Sequence, residues 1–231
     1  MSLTTRLSLV AIAAVVSLQG AAIGQIDTFS DLTTMNWFVP GASPNPPANN
    51  PTGGPAGAGD PYLLLTSNGN PGAGGRLAVL NDDQWAGDYL AAGITTIHMD
   101  VSNFGPDDLY LRLLLEDFAG IGPPVNLALT QAAFVPAGSG WQKVSFSLQP
   151  ADLVALIGTA NDVLANVDTL RIFHNPDPTF PGPGVGIPLV NAAVGVDNIT
   201  AAGVPEPGTM GLLLTGLAFS AVSVARKHWS K

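Results

Sequence analysis

The stretch DLYLRLLLED, residues 108–117, restricts the fold more than any other part of the chain. Successive side chains of a strand point to opposite faces, so Leu109, Leu111, Leu113 and Leu115 share one face and Tyr110, Arg112, Leu114 and Glu116 the other. The first set makes a core face. The same parity puts Ile97, Met99 and Val101 inward with Thr96, His98 and Asp100 outward, and Val144, Phe146 and Leu148 inward with Lys143, Ser145 and Ser147 outward. Clean alternation of this kind belongs to antiparallel sheets with one wet face.

From Tyr62 onward, short runs rich in Leu, Ile and Val are separated by clusters of Gly, Pro, Asn and Asp. Strands are expected at 62–67, 76–80, 95–102, 109–116, 125–129, 142–148, 169–174 and 194–200, with one helical turn at 150–157. This predicts an all-β body, a jelly-roll-like two-sheet β-sandwich. Ahead of it, IDTFSDLTTMNWFV reads as a strand, a turn and a second, aromatic-rich strand. Residues 40–61 carry seven prolines and five glycines, so they are expected to form a long surface loop without regular elements. Too few residues precede that loop to make a separate domain, so one core is expected.

Charge excludes one large class of partner. Between Gln25 and Val204 four basic residues stand against sixteen Asp and Glu, a balance of −12. Such a body repels phosphate backbones, which argues against nucleic acid. The absence of cysteine removes disulfides, thiolate metal sites and a Cys nucleophile together.

The two ends differ from the body. MSLTTRLSLVAIAAVVSLQGAAIGQ has one Arg, an apolar run and a small-residue exit, the pattern of a secretory signal peptide. Ala22 and Gly24 fit the small residues that cleavage requires, which places the signal at residues 1–24, with a cut after Ala22 as the alternative. At the other end, residues 208–225 hold no charge and would span about 27 Å as a helix, close to a hydrocarbon core of about 30 Å. Arg226, Lys227 and Lys231 follow as a basic stop-transfer tail, residues 226–231, that keeps the chain end in the cytoplasm. The expected organisation is a signal helix, a body at 25–203 and a terminal segment at 204–231 with a transmembrane helix.

Pro205, Glu206 and Pro207, an uncharged Gly-containing helix and a basic tail together closely resemble the PEP-CTERM sorting segment. That resemblance implies an exosortase partner, a membrane protease-transpeptidase that reads Pro-Glu-Pro and cuts nearby. It also implies export through an inner-membrane intermediate to the cell surface or extracellular matrix of a Gram-negative-type bacterium, alongside exopolysaccharide. In the body, NDDQWAGDYLAAGITTIHMDVSNFGPDDLYLRLLLED, WQKVSFSL and VGVDNIT resemble segments of galactose-binding-like and laminin-B-like jelly rolls and of carbohydrate-binding modules.

Exposed aromatics that stack on sugar faces, with Asp, Asn and Arg beside them, are the groups a glycan site needs. Tyr110 and Arg112, on the non-core face of their strand, are candidates, as are Trp85 and Trp141 near strand entrances; each Trp serves either as a platform or as a core plug. No cofactor is required. A structural calcium is the one candidate, because carbohydrate-binding jelly rolls often hold it with an Asp of the last strand, the place of Asp197. Asp27 and Asp31 join that set if the first strand lies alongside, and a backbone-capping role for Asp197 is the alternative.

Enzyme chemistry lacks a foothold. Glu116 and Asp117, adjacent in a strand, point to opposite faces and cannot flank one glycosidic bond. No nucleophile elbow, HExxH helix or P-loop occurs. The expectation is a non-enzymatic exported surface or matrix protein, with a carbohydrate-binding module as the alternative and a polysaccharide hydrolase behind both.

Overall fold

A computed structural model describes residues 26–177 and 187–203. The expected signal peptide and the sorting segment with its helix lie outside the described residues. Among the described residues, no helix is long and apolar enough to cross a membrane.

The body is a sandwich of two six-stranded antiparallel sheets. In chain order the strands are β1 (Ile26–Asp27), β2 (Ala48–Asn50), β3 (Tyr62–Asn68), β4 (Ala78–Asn81), β5 (Ile94–Asn103), β6 (Leu109–Asp117), β7 (Asn126–Leu129), β8 (Ala133–Val135), β9 (Gln142–Ser147), β10 (Val154–Ile157), β11 (Thr169–His174) and β12 (Asn191–Gly203). Sheet A runs β2-β3-β12-β5-β9, with β1 also paired to β12; sheet B runs β10-β7-β6-β11-β4, with β8 also paired to β6.

Parity builds the core between them. Leu63, Leu65, Ile97, Met99, Val101, Phe146, Val194 and Val196 from sheet A meet Val79, Leu109, Leu111, Leu113, Leu115, Leu170 and Ile172 from sheet B in one buried cluster. Each such side chain contributes about 1.5–3 kcal/mol on leaving water, so the inward faces dominate the stability of the fold.

Three local expectations are corrected. The helical turn expected at 150–157 is instead edge strand β10: Val154 and Ala155 pair with Leu129 and Ala128 of β7, whose open edge supplies the ladder. Gly158, at φ 66°, then ends the run. The helix α1 follows at Ala160–Ala165, started by Thr159, whose side chain accepts the Asp162 N–H. Residues 40–61 do form a loop within one fold, yet β2 inside it pairs with Tyr62–Leu64 of β3, because Ala48–Asn50 is free of proline.

The expected second strand near Trp37 is absent. Phe29, Leu32, Met35 and Asn36 all have positive φ, so the chain keeps turning and only the bridge Phe38↔Leu80 survives. Those turns bring Trp37 back over β1. Its indole N–H and that of Trp85 both donate to Oδ2 of Asp27, at 2.7 and 2.8 Å.

Candidate functional site

Each sheet has an outer face, and the two differ in what they offer a ligand. On sheet A, Asp197 lies opposite Asp100, and Asp100 opposite Lys143. Two rungs further along, Gly195 lies under aromatic rings: a Cβ there would come within 2.7 Å of Trp141 and 3.0 Å of Phe104. Only glycine lets those rings rest on the backbone. Trp141 also packs edge-on to Tyr62 with centroids 5.2 Å apart and donates its N–H to the Gly53 carbonyl at 2.9 Å.

On sheet B the outer face has an apolar middle, where Leu114, Leu127, Leu129, Phe173 and Ile187 form a second buried cluster. Six residues, about 20 Å of strand, separate Tyr110 at one end of β6 from Glu116 towards the other. At the Glu116 end a groove of about 570 Å³ opens, bounded by Phe38, Leu80 and Phe118, with Asp82, Asp168 and Arg171. That volume lies within the range of about 300–1,000 Å³ usual for small-molecule sites.

The register of sheet B puts Glu116 and Arg171 at the floor of the groove. Thr169 pairs with Glu116 and Arg171 with Leu114, so both long charged side chains rise from the same face two rungs apart. Nη2 and Nε of Arg171 both donate to Oε2 of Glu116, at 2.7 and 3.1 Å. Glu116 is fully buried, whereas the Arg171 side chain keeps 16 % of its surface. Burial pushes the Glu116 carboxyl up, and the charge and hydrogen bonds of Arg171 pull it back. Asp168 fixes the wall by accepting the Phe118 amide at 2.6 Å.

The residues singled out from sequence fall in separate places. Trp85 is fully buried in the core. Arg112 is 4 % exposed, and its Nε and Nη1 donate to the carbonyls of Asn175 and Thr130 at 2.8 and 2.9 Å, which fastens two loops. Tyr110 stays open at 37 % exposure and packs against Phe134, centroids 5.1 Å apart. Trp141 belongs to sheet A, so the four aromatic and Arg candidates do not converge.

Nor do the three aspartates. Asp27 pairs with Ile199 and faces inward, where burial raises its pKa against the hydrogen bonds of Trp85, Trp37 and Gln84. Asp197 faces outward across a bulge in β12, at which Asn198 takes φ 51°. Asp31 is exposed and accepts from Thr33 at 2.9 Å. Among the described residues, no three His, Asp or Glu side chains gather in a way that would hold a metal ion. The pKa of Asp197 is pushed up to about 7, chiefly by burial; the Asn198 amide opposes this, and the charges of Asp60 and Asp100 add to it.

Sequence reasoning passed over Phe38, Phe118, Asp168 and Arg171. One signal was present: the body has a single Glu and four basic residues, and a lone Glu within LLLED has to find a cation or stay neutral.

The fold has known counterparts. It is similar to part of an exo-beta-agarase, with TM-score 0.52 at 13 % identity over 78 % of this chain and 25 % of that one, so the chain spans about a quarter of the agarase. It is similar to the family 11 carbohydrate-binding module from Clostridium thermocellum in complex with a beta-1,3-1,4-mixed-linked tetrasaccharide, with TM-score 0.51 and 13 % identity over 79 % of this chain and 96 % of that one. The solution structure of CtCBM11 gives TM-score 0.50 and 14 % identity over 81 % and 100 %. No protein-family model matches the sequence, and no curated protein is similar to it in sequence. At such identity the likeness shows the fold alone, a jelly-roll-like two-sheet β-sandwich.

Proposed function

We propose that the body is a non-catalytic carbohydrate-binding β-sandwich, exported and delivered to the cell surface or matrix. The observation that carries this reading is the groove on sheet B, where phenylalanines stand beside the Glu116–Arg171 pair. Apolar walls suit the C–H faces of a sugar ring, and a few fixed polar groups suit its hydroxyls. A module of the same fold is known in complex with a tetrasaccharide. The Glu116 carboxylate, buried and bonded to Arg171, serves better as a fixed acceptor than as a proton donor to a leaving group. Tyr110 and Phe134, at the far end of the same strand beyond the buried Leu114 cluster, form a separate exposed aromatic pair.

Delivery is the second part of the proposal. The signal peptide exports the chain, and an exosortase cuts near Pro205, Glu206 and Pro207. Intact mass of the protein from cells with and without the sorting protease tests this; a terminal segment retained in both leaves a simple anchor. Binding is tested by affinity electrophoresis of the full chain through gels containing a panel of soluble polysaccharides. Retardation in at least one gel, lost in Phe118→Ala, supports the reading. Unaltered mobility across the panel overturns it.

A further inference from the structure

Glu116 lines the groove with a carboxylate used on one side only. Both Arg171 bonds go to Oε2, and Oε1, buried, has no hydrogen-bond partner among the described residues. A buried acceptor without a donor is costly in the free protein. A ligand that supplies the donor removes that cost on binding.

The charges around it narrow the donor. Glu116, Asp82 and Asp168 set three carboxylates against the single guanidinium of Arg171, within a body whose balance is −12. A uronate or sulfate ester is repelled there. A sugar hydroxyl completes the hydrogen bond and leaves the charge excess. An ammonium group does both, and a charge-assisted bond is roughly twice as strong as a neutral one. Phe38 and Phe118 line the same groove, and their apolar surface favours a cation-bearing sugar over a bare cation.

We infer that the groove selects glycans bearing free amino groups, such as partly or wholly deacetylated hexosamine polymers, over neutral and anionic ones. This rests on the carbohydrate-binding reading of the same groove. Oε1 of Glu116, sealed in the free protein, accepts the ammonium once the partly exposed Arg171 side chain turns aside to admit it; Asp82 at the rim draws it in, and acetylation of the amine removes the recognised charge.

Calorimetric titration of the full chain separates the outcomes. The probes are a glucosamine hexasaccharide, its fully N-acetylated counterpart, a neutral glucan oligosaccharide and a uronate oligosaccharide, with the amine protonated. The free amine is expected to bind about tenfold tighter than the acetylated sugar at an ionic strength of about 0.01 M, and the advantage is expected to shrink at about 0.15 M as screening sets in. Glu116→Gln should abolish the preference. Because that change also disturbs Arg171, Asp82→Asn on the exposed rim is the second variant, with an expected two- to threefold loss of preference, roughly the scale of an exposed charge contact. Equal affinity for amine and acetamide, or tighter binding of the neutral glucan, overturns the inference and leaves the carbohydrate-binding reading standing. No binding of any probe, together with unaltered mobility in every polysaccharide gel, overturns both.

Discussion

Leu64 and Leu114 hold matching positions, each on the outer face of its sheet between two paired strands, yet Leu64 is half-buried and Leu114 is sealed. Leu64 stands between Ala48 and Gly195, which offer almost no side chain. Leu114 stands between Leu129 and Arg171. Their buried carboxylates differ likewise. Glu116 on sheet B has a guanidinium at 2.7 Å. Asp197 on sheet A accepts the Asn198 amide at 2.7 Å and has carboxylates for electrostatic neighbours. Both faces follow one backbone geometry, so the outer face is decided by what the neighbouring rungs carry.

The sharpest way to break this contrast is Arg171→Ala, which leaves Glu116 buried without its cation. Unfolding in urea at neutral pH should show a loss of about 4 kcal/mol. The loss should shrink as pH falls, since an unpaired buried carboxyl is neutralised by a proton. Next in size, Leu114→Ala should cost about 3 kcal/mol and Leu64→Ala about 1 kcal/mol; equal losses would mean that sheet A's outer face is covered too.

Asp197→Asn runs in the opposite direction. The folded pKa of Asp197, about 7, lies above the ordinary 3.8, so the native state holds that proton more tightly than the unfolded one. The group's contribution is therefore full below about pH 4 and lost as pH rises through about 7. The variant should be more stable than the parent at pH 8, by about 2 kcal/mol, because burying the amide offsets part of the linkage. The two should converge near pH 4, and a difference independent of pH would refute this. The smallest effect is expected from Lys143→Ala, beside the same ladder on an exposed position, within about 0.5 kcal/mol.

The inner half of this architecture was legible in the sequence, because period-two alternation in β5, β6 and β9 needs no distant partner to be read. The outer half was only partly so. Leu113, Leu114 and Leu115 in succession mark a strand covered on both faces, and the parity of β6 alone does not say by what. The groove was hidden for a related reason: Phe38, Asp82, Phe118 and Arg171 come from four separate parts of the chain, and no local spacing joins them. Trp85 is a core plug, the commoner role of a Trp, because the turns at Phe29 to Asn36 carry Trp37 and Asp27 to its side. Strand β10 was misread because four apolar residues, Val154–Ile157, take the structure of whichever edge lies open to them.

Strand β12 gives the body a mechanical character. It is the longest strand, paired to β3 from Asn191 to Val196, to β5 from Val194 to Gly203 and to β1 at Ile199 and Thr200. Tension on the chain beyond Gly203 runs along β12 and loads its ladders in shear, many rungs at once, rather than peeling them singly. Register shifts between Asp197 and Thr200 and between Ala202 and Gly203 divide the contact with β5 into blocks at Val194–Asp197 and Thr200–Ala202 and a last pair at Gly203. Under load the body should yield in steps, and the first block to slip would leave the Val194–Val196 core contacts and the whole of sheet B in place.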